Sequence, residues 1–221
     1  MNPLRLLIAA LAIALGLSFS VSPAAAQRSV PPNTGQTFKD TSMIKPPPGA
    51  KVALFEFEDL ECPACGHAHP IVMQAIEHYK LPFIRKDYPW PFHVWSTDAA
   101  IWARYIQDKL SPKVADDYRT AVFASQVSIA SKDDLMAFTR RFFQQHGGQM
   151  PFVVDPTGQF RKEVMEDKAF GDRMGVTSTP TIIICTDHSW VQVTDPSQLY
   201  QAIESVQSQV ASAPAMKKVS H

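Results

Sequence analysis

Two cysteines separated by two residues are the groups best suited to chemistry in this 221-residue chain, in the order Cys62-Pro63-Ala64-Cys65. At the start of a helix, a pair at this spacing can close a disulfide with little backbone movement. The free N–H groups and the positive dipole end of such a helix favour a thiolate on the first cysteine. The motif therefore predicts thiol–disulfide exchange.

A carboxylate, Glu56, precedes the motif inside an otherwise apolar strand. Burying a carboxylate is costly, and burial raises its pKa. A carboxyl group of raised pKa is suited to exchange a proton with Cys65 through a water molecule. We therefore expect Glu56 to be a catalytic proton carrier; the alternative is a carboxylate solvated at a sheet edge.

Two prolines stand where a proline is costly. Pro70 lies inside the helix expected after the motif, where a proline costs about 3 kcal/mol unless the helix is built around it. Thr179-Pro180 enters the apolar strand that follows, although proline cannot donate to a β ladder. A cis peptide bond at Thr179-Pro180 resolves that conflict, and we expect one there.

Hydrophobic periodicity, caps and turn residues predict the elements that position these groups. They indicate strands at 51–57, 81–87, 181–185 and 190–194, and helices at 62–79, 96–109, 112–125, 131–148, 157–174 and 195–212. The order is β-α-β, a run of helices, then α-β-β-α. It favours one α/β domain interrupted by a helical insertion over two sequential domains.

The chain divides on this basis into six segments. We expect a signal peptide at 1–26 and an extended Pro-rich lead-in that looks unstructured at 27–50. The first part of the α/β domain then covers 51–91, the helical insertion 92–150, the second part of the α/β domain 151–212 and a tail 213–221.

The N-terminal segment has the pattern of a secretory signal. Arg5 precedes an apolar run at 6–19, and small residues at 23–26 form a cleavage site. The run is shorter than the about 20 residues of a membrane span, which disfavours the alternative of an uncleaved anchor. Export to an oxidising compartment favours a disulfide between close cysteines. With 21 basic and 21 acidic residues, the chain is not suited to nucleic acid or anionic lipid as its main partner.

With these residues assembled, the sequence resembles the thioredoxin superfamily, and more closely the DsbA-like thiol:disulfide oxidoreductases of the bacterial cell envelope. The resemblance covers 51–212. It is carried by the stretch 55–65, the His69-Pro70 step, the helical insertion and the stretch 175–181. It implies an α/β thioredoxin fold with an inserted helical subdomain, acting in the periplasm.

The resemblance also implies a mechanism. Cys62 is expected to be the exposed nucleophile and Cys65 its buried partner, with Pro63 and Ala64 between them in the active site. Cis-Pro180 would lie against the disulfide, and the backbone of Thr179 would pair with an extended substrate. Since the disulfide is the redox centre, no organic cofactor or metal is needed.

The expected partners follow from the same resemblance. The protein would act as a monomer and donate its disulfide to the thiols of exported proteins. A quinone-linked membrane partner of the DsbB or VKOR type would reoxidise it.

Three features differ from the strongly oxidising members of that family. Ala64 stands where they carry a histidine, and Thr179 also occurs in members that reduce or isomerise disulfides. Acidic residues crowd the motif and are expected to raise the pKa of Cys62, namely Glu58, Asp59 and Glu61. The direction of electron flow is therefore open between a disulfide donor and a reductase kept reduced by a membrane electron donor.

Other classes of protein remain as alternatives. A zinc site at Cys62, Cys65 and His69, with His67 nearby, lacks the second knuckle of a structural site, so His69 is expected to be solvated or capping. A disulfide isomerase would carry a dimerisation domain, for which the lead-in is too short.

The alternative of a different class is a non-catalytic binding or holdase module with a structural disulfide. The aromatic residues Trp90, Phe92 and Trp95 would serve it, although aromatics there more often pack between subdomains. Cys185 ends an apolar strand and is expected to be a buried, inert thiol.

Overall fold

The computed structural model describes residues 28–212, so the signal segment at 1–26 and the tail at 213–221 lie outside the described residues. The strands are β1 (Arg28–Val30), β2 (Val52–Glu58), β3 (Phe83–Asp87), β4 (Thr181–Thr186) and β5 (Trp190–Val193). The helices are α1 (Pro63–Tyr79), α2 (Ser96–Lys109), α3 (Pro112–Ser125), α4 (Lys132–Gln145), α5 (Gln159–Met174) and α6 (Leu199–Ser212).

The five strands form one mixed sheet in the order β1-β5-β4-β2-β3. Strand β2 lies inside the sheet, parallel to β3 and antiparallel to β4. The parallel β2–α1–β3 unit places the start of α1 at the carboxyl end of β2. This arrangement confirms the expected α/β thioredoxin fold with inserted helices.

Side-chain alternation along β2 separates the two faces of the sheet. Val52 and Leu54 face apolar residues of α1 and α6, whereas Phe55 and Phe57 face Met174 at the end of α5. Both faces are therefore covered by helices, which explains why β2 reads as a nearly continuous apolar run.

Helices α2, α3 and α4 form the insertion between β3 and α5, and they have a core of their own. This core includes Trp102, Tyr118 and Phe143, and it extends to Cys62 and Cys65 at the start of α1. The insertion is thus packed directly against the motif. The limits 92–150 for this insertion stay a prediction.

A buried arginine also joins the insertion to the sheet. Arg119 of α3 donates to Glu58 at the end of β2 and to Asp87 at the end of β3, both at 2.7 Å. Arg104 of α2 donates to the same Asp87 at 2.6 Å. Because Arg119, Glu58 and Asp87 are buried, the contacts satisfy charges that would otherwise be costly.

The expectation of an unstructured lead-in is wrong. Its first residues form β1, which pairs in parallel with β5, and Thr194 N donates to Val30 O at 2.9 Å. The side of β5 that does not pair with β4 supplies the hydrogen-bonding partners that stabilise this short strand.

The last helix also begins later than expected. A 3₁₀ turn at Pro196–Gln198 follows Asp195, whose carboxylate caps Ser197 N, and the α-helix starts at Leu199. None of the helices within residues 28–212 has the length and apolarity required to cross a membrane.

Candidate active site

The Cys62 and Cys65 pair lies at the N-terminus of α1. Cys62 has extended backbone just before the helix, and Pro63 takes the first helical position, where a proline loses no hydrogen bond. Pro63 and Ala64 are exposed, whereas Cys65 is buried. Both cysteines are free thiols, close together on the first turn.

Cys62 is less exposed than we expected of a nucleophile, with 8% of its surface accessible against 1% for Cys65. The reason is the loop before β4, because Cys62 Sγ lies 3.4 Å from the Thr179 carbonyl oxygen, to which the thiol donates a hydrogen bond when it is protonated. Any molecule that reaches the Cys62 sulfur must therefore approach it alongside that loop.

The two thiols have opposite pKa shifts. A hydrogen bond from the Cys65 thiol lowers the pKa of Cys62 from 9.0 to about 5, helped by Thr179 and by the backbone N–H groups of Cys65 and Ala64, although burial opposes the shift. Burial raises the pKa of Cys65 well above its ordinary value, and its contact with Cys62 adds to the effect. At neutral pH, Cys62 is therefore a thiolate and Cys65 a protonated thiol.

The expectation that nearby acids raise the pKa of Cys62 is wrong, and the first reason is the direction of Asp59. Its carboxylate accepts from Trp90 N and pairs with His93 Nδ1, both at 2.7 Å, and it also accepts from Ser96 Oγ. These contacts lie in the segment between β3 and α2 and at the first residue of α2. The charge is thus directed at that segment, away from Cys62.

Glu61 and Glu58 are occupied in the same way. Glu61 accepts from backbone N–H groups at the start of α2, including Trp95 N at 2.6 Å and Ser96 N at 2.9 Å. An acidic group there also stabilises the helix dipole. Glu58 is paired with Arg119. These carboxylates therefore hold the structure around the motif, and none of them is among the causes that set the pKa of Cys62.

Glu56 lies in β2 with only 1% of its surface exposed, opposite Arg85 of β3 and Ile182 of β4. The alternative of a solvated sheet edge is therefore wrong. Burial raises the pKa of Glu56 well above its ordinary value, and the charge of Glu58 adds to this shift. Its Oε2 has no hydrogen-bond partner within the described residues, and its charge contributes to the raised pKa of Cys65.

The Thr179–Pro180 peptide bond is cis, which confirms the prediction from the proline before β4. Trp90 Nε1 donates to Thr179 Oγ1 at 3.0 Å, so the segment after β3 supports this loop from one side. A groove runs beside the motif between α1 and the loop. Its lining includes Ala64, His67, Ile71, Thr179, Pro180 and Asp195.

Gln126, which follows α3 in the insertion, was not among the residues expected at the site. Its Nε2 donates to the carbonyl oxygens of Leu60 at 2.8 Å and Cys62 at 3.0 Å. Gly66 makes room for it, since a Cβ at that position would stand 2.6 Å from Gln126 Oε1. A glycine in the first turn of a helix was the available signal, because glycine there is unfavourable without a packing reason. Gln36 of the lead-in was also missed.

His69 is buried, contrary to the expectation of a solvated or capping side chain. Its Nε2 lies 2.8 Å from Thr120 Oγ1, and its ring packs on Phe123. Burial lowers its pKa. Within residues 28–212, no cluster of three or more His, Cys, Asp or Glu side chains could hold a metal ion.

The aromatic residues after β3 have different surroundings. Trp95 is buried and donates through Nε1 to Ile129 O at 2.9 Å, so it packs inside the insertion. Phe92 is 70% exposed and stacks on Trp90. Cys185 is buried, as expected, and burial raises its pKa to about 11, which keeps it a thiol.

The chain matches the thioredoxin family over residues 39–205. Its fold is similar to that of alpha-DsbA1 from Wolbachia pipientis, with a TM-score of 0.60 and 16% identity over 76% of this chain and 91% of that one. For the thiol-disulfide exchange protein alpha-DsbA2 from the same organism, the TM-score is 0.59 and the sequence identity 18%, and the match covers 73% of this chain and 85% of that one. For ScsC from Proteus mirabilis, in a transitional conformation, the TM-score is 0.56 and the sequence identity 19%, and the match covers 76% of this chain and 72% of that one.

No curated protein matches the sequence. The match of the family covers most of the chain, including β2, the motif, the insertion and the cis-proline loop. The chain therefore belongs to the thioredoxin family, with a DsbA-like fold and a cysteine pair arranged as in a thiol–disulfide oxidoreductase.

Proposed function

We propose that this protein is a periplasmic thiol:disulfide oxidoreductase that donates the Cys62–Cys65 disulfide to exported proteins. The observation that carries this proposal is the pKa of about 5 at Cys62. A low pKa of the Cys62 thiol means that the thiolate of the reduced protein is stabilised, and a stabilised reduced form makes the disulfide a stronger oxidant. The value lies between the pKa of about 7 in thioredoxin and about 3.5 in the oxidant DsbA.

The first step is attack by a client thiolate on the Cys62 sulfur. The Cys62–Cys65 bond breaks, a mixed disulfide forms at Cys62, and Cys65 leaves with the electron pair. Because the pKa of Cys65 is raised, it leaves well only if it receives a proton. A protonated Glu56 supplies that proton through a water molecule, consistent with its raised pKa.

The second step completes the transfer of two electrons. Another client thiolate attacks the client sulfur of the mixed disulfide, and Cys62 leaves as a thiolate. Its low pKa makes it a good leaving group. The client gains one disulfide, and the protein holds two reduced cysteines.

Location and partners complete the proposal. The signal pattern at 1–26 would direct the chain to an oxidising compartment, where a quinone-linked membrane protein of the DsbB or VKOR type would reoxidise it. The redox-active disulfide would serve without an organic cofactor or a metal.

The test is the reduction potential of the Cys62/Cys65 couple, measured by equilibration with glutathione buffers. A disulfide donor is expected nearer to about −120 mV than to about −270 mV, the values of DsbA and thioredoxin. The variant Cys185→Ala should keep the wild-type potential, because Cys185 lies outside the pair. A potential near −270 mV would instead support the alternative of a reductase kept reduced by a membrane electron donor.

The alternative of a non-catalytic holdase has its own test. A client peptide with two thiols should be oxidised by the wild-type protein and not by Cys62→Ser. Equal, slow oxidation with both proteins would support the holdase and overturn the proposal.

A further inference from the structure

The lead-in crosses the protein next to the active site, on the side of the sheet where β1 pairs with β5. Lys39 N donates to Met174 O at 2.8 Å, and Gln36 N donates to the buried Gln192 Oε1 at 2.7 Å. Gly175 at the end of α5 has a φ of 87°, and a Cβ there would stand 3.3 Å from Thr37 O. The backbone at Gln36 and directly after it is therefore held against the protein.

From this anchored position, the Gln36 side chain reaches the loop before β4. Its Oε1 accepts from Thr177 N at 2.6 Å and from Thr177 Oγ1 at 3.0 Å. Its Nε2 donates to Ser178 Oγ at 3.0 Å and to Thr181 Oγ1 at 2.6 Å. Both halves of one amide are used, and the bonded residues flank Thr179 and Pro180.

We propose that Gln36 is a positioning residue for disulfide exchange with protein clients. By fixing Thr177, Ser178 and Thr181, it holds the Thr179 backbone where an extended client can pair with it beside Cys62. The inference rests on the proposed function, because it concerns the step in which the client meets the disulfide.

The reason for expecting specificity toward peptide clients is geometric. An extended peptide gains affinity from main-chain hydrogen bonds to a fixed strand or loop. A small dithiol needs only the sulfur of Cys62. A loosened loop therefore costs the peptide an ordered partner, while the small reagent loses much less.

The experiment compares the oxidised wild-type protein with Gln36→Ala in reactions with two reductants. One is a short unstructured peptide with one cysteine, and the other is dithiothreitol. We expect Gln36→Ala to slow the peptide reaction about tenfold, as loss of one to two net hydrogen bonds predicts. We expect the dithiothreitol rate to stay within about twofold, since that reagent does not use the loop.

The matched control is Gln107→Ala, an exposed glutamine of α2, which should leave both rates unchanged. Thr181→Val is the second variant, because it removes one acceptor of the Gln36 amide with little change of shape. It should slow the peptide reaction in the same selective way, and the double variant should be slower by less than the product of the two factors.

The outcomes separate the inference from the proposed function. A wild-type protein that reacts with the peptide, together with an unchanged ratio of the two rates in Gln36→Ala and Thr181→Val, would overturn the inference alone. An equal loss with both reductants would also overturn it, because the residue would then be structural. A wild-type protein that reacts with neither reductant would overturn the proposed function itself.

Discussion

Arg119 on the inserted helix α3 donates a hydrogen bond of 2.7 Å to the carboxylate of Glu58, two residues after Glu56 on β2. The contact joins the insertion to the strand that leads into the motif. Both side chains are buried, so neither charge is compensated by bulk water. The arginine thus controls both the attachment of the insertion and the charge around Glu56, whose pKa it lowers against the larger effect of burial.

Replacing Arg119 with methionine is expected to destabilise the protein by about 3–5 kcal/mol, because Glu58 and Asp87 would remain buried without this partner. Chemical denaturation of the two proteins measures the difference. The exposed Arg140→Met on α4 is the control and should change stability by less than about 0.5 kcal/mol. Equal unfolding free energies for wild type and Arg119→Met would contradict the structural role.

The same variant should alter the dependence of stability on acid. Burial acts to raise the pKa of Asp87, but the charges of Arg119 and Arg104 lower it from 3.8 to about 2. The stabilisation is therefore complete above about pH 4 and is lost as the pH falls toward 2. Between about pH 4 and pH 2, we expect Arg119→Met to lose less stability than the wild type. An identical dependence of stability on pH in the two proteins would count against the pairing of Asp87 with Arg119.

Cys62 should react as a thiolate over most of the accessible pH range. In the reduced protein, alkylation by iodoacetamide should follow a titration with a midpoint of about 5. The largest cause of this low pKa is the hydrogen bond from Cys65, so Cys65→Ala should move the midpoint toward 9.0, whereas Cys185→Ala should not. An unmoved midpoint in Cys65→Ala would show that this hydrogen bond is not the main cause.

The sign of the effect on stability follows from the same shift. The pKa of Cys62 in the folded protein is below that of a free thiol, so the thiolate stabilises the reduced fold. This contribution is complete above about pH 9 and is lost as the pH falls through about 5.

Glu56→Gln separates the role of this residue in exchange from its cost to the fold. The raised pKa means that ionisation of Glu56 destabilises the folded state progressively as the pH rises above 4.5. We expect the variant to be more stable than wild type at about pH 8 and nearly equal to it at about pH 4. Denaturation at the two pH values tests this.

Exchange should nevertheless slow by about 10- to 100-fold in Glu56→Gln, since loss of a general acid–base group has effects of this order or more. Stopped-flow measurement of the client reaction gives the rate. The exposed Glu77→Gln on α1 should change neither stability nor rate. A wild-type rate in Glu56→Gln would remove the residue from the proton transfer.

Gly66 and Gln126 should be coupled in stability. Alanine at position 66 improves helix propensity by about 1 kcal/mol but pushes against Gln126 Oε1, which leaves Gly66→Ala neutral or destabilising in the wild type. In the Gln126→Ala background the clash is gone, and Gly66→Ala should stabilise by about 0.5–1 kcal/mol. Urea unfolding of the four proteins measures the coupling, and strictly additive effects would argue against the contact.

Much of the fold is visible in the sequence because the signals are local. The apolar strand before Cys62, the apolar run after Pro180 and the hydroxyl of Ser131 each act within a few residues of the chain. The Ser131 cap is an example, since its Oγ accepts from Asp134 N, only three residues away. The cysteine spacing and the proline before β4 likewise indicated the two sides of the site.

The tertiary structure alone decided how charges and amides are directed. Asp59 and Glu61 look repulsive to Cys62 in the sequence, yet folding turns them toward the segment after β3. Gln36 contacts residues that are 141 to 145 positions away in the sequence. Hydrophobic periodicity describes only neighbouring residues, so it does not predict such a contact. Local sequence determines helices, strands and caps and places Cys65 beside Cys62, whereas the contact of Cys62 with Thr179 and the direction of the nearby carboxylates form only when the sheet, the insertion and the loop before β4 pack together.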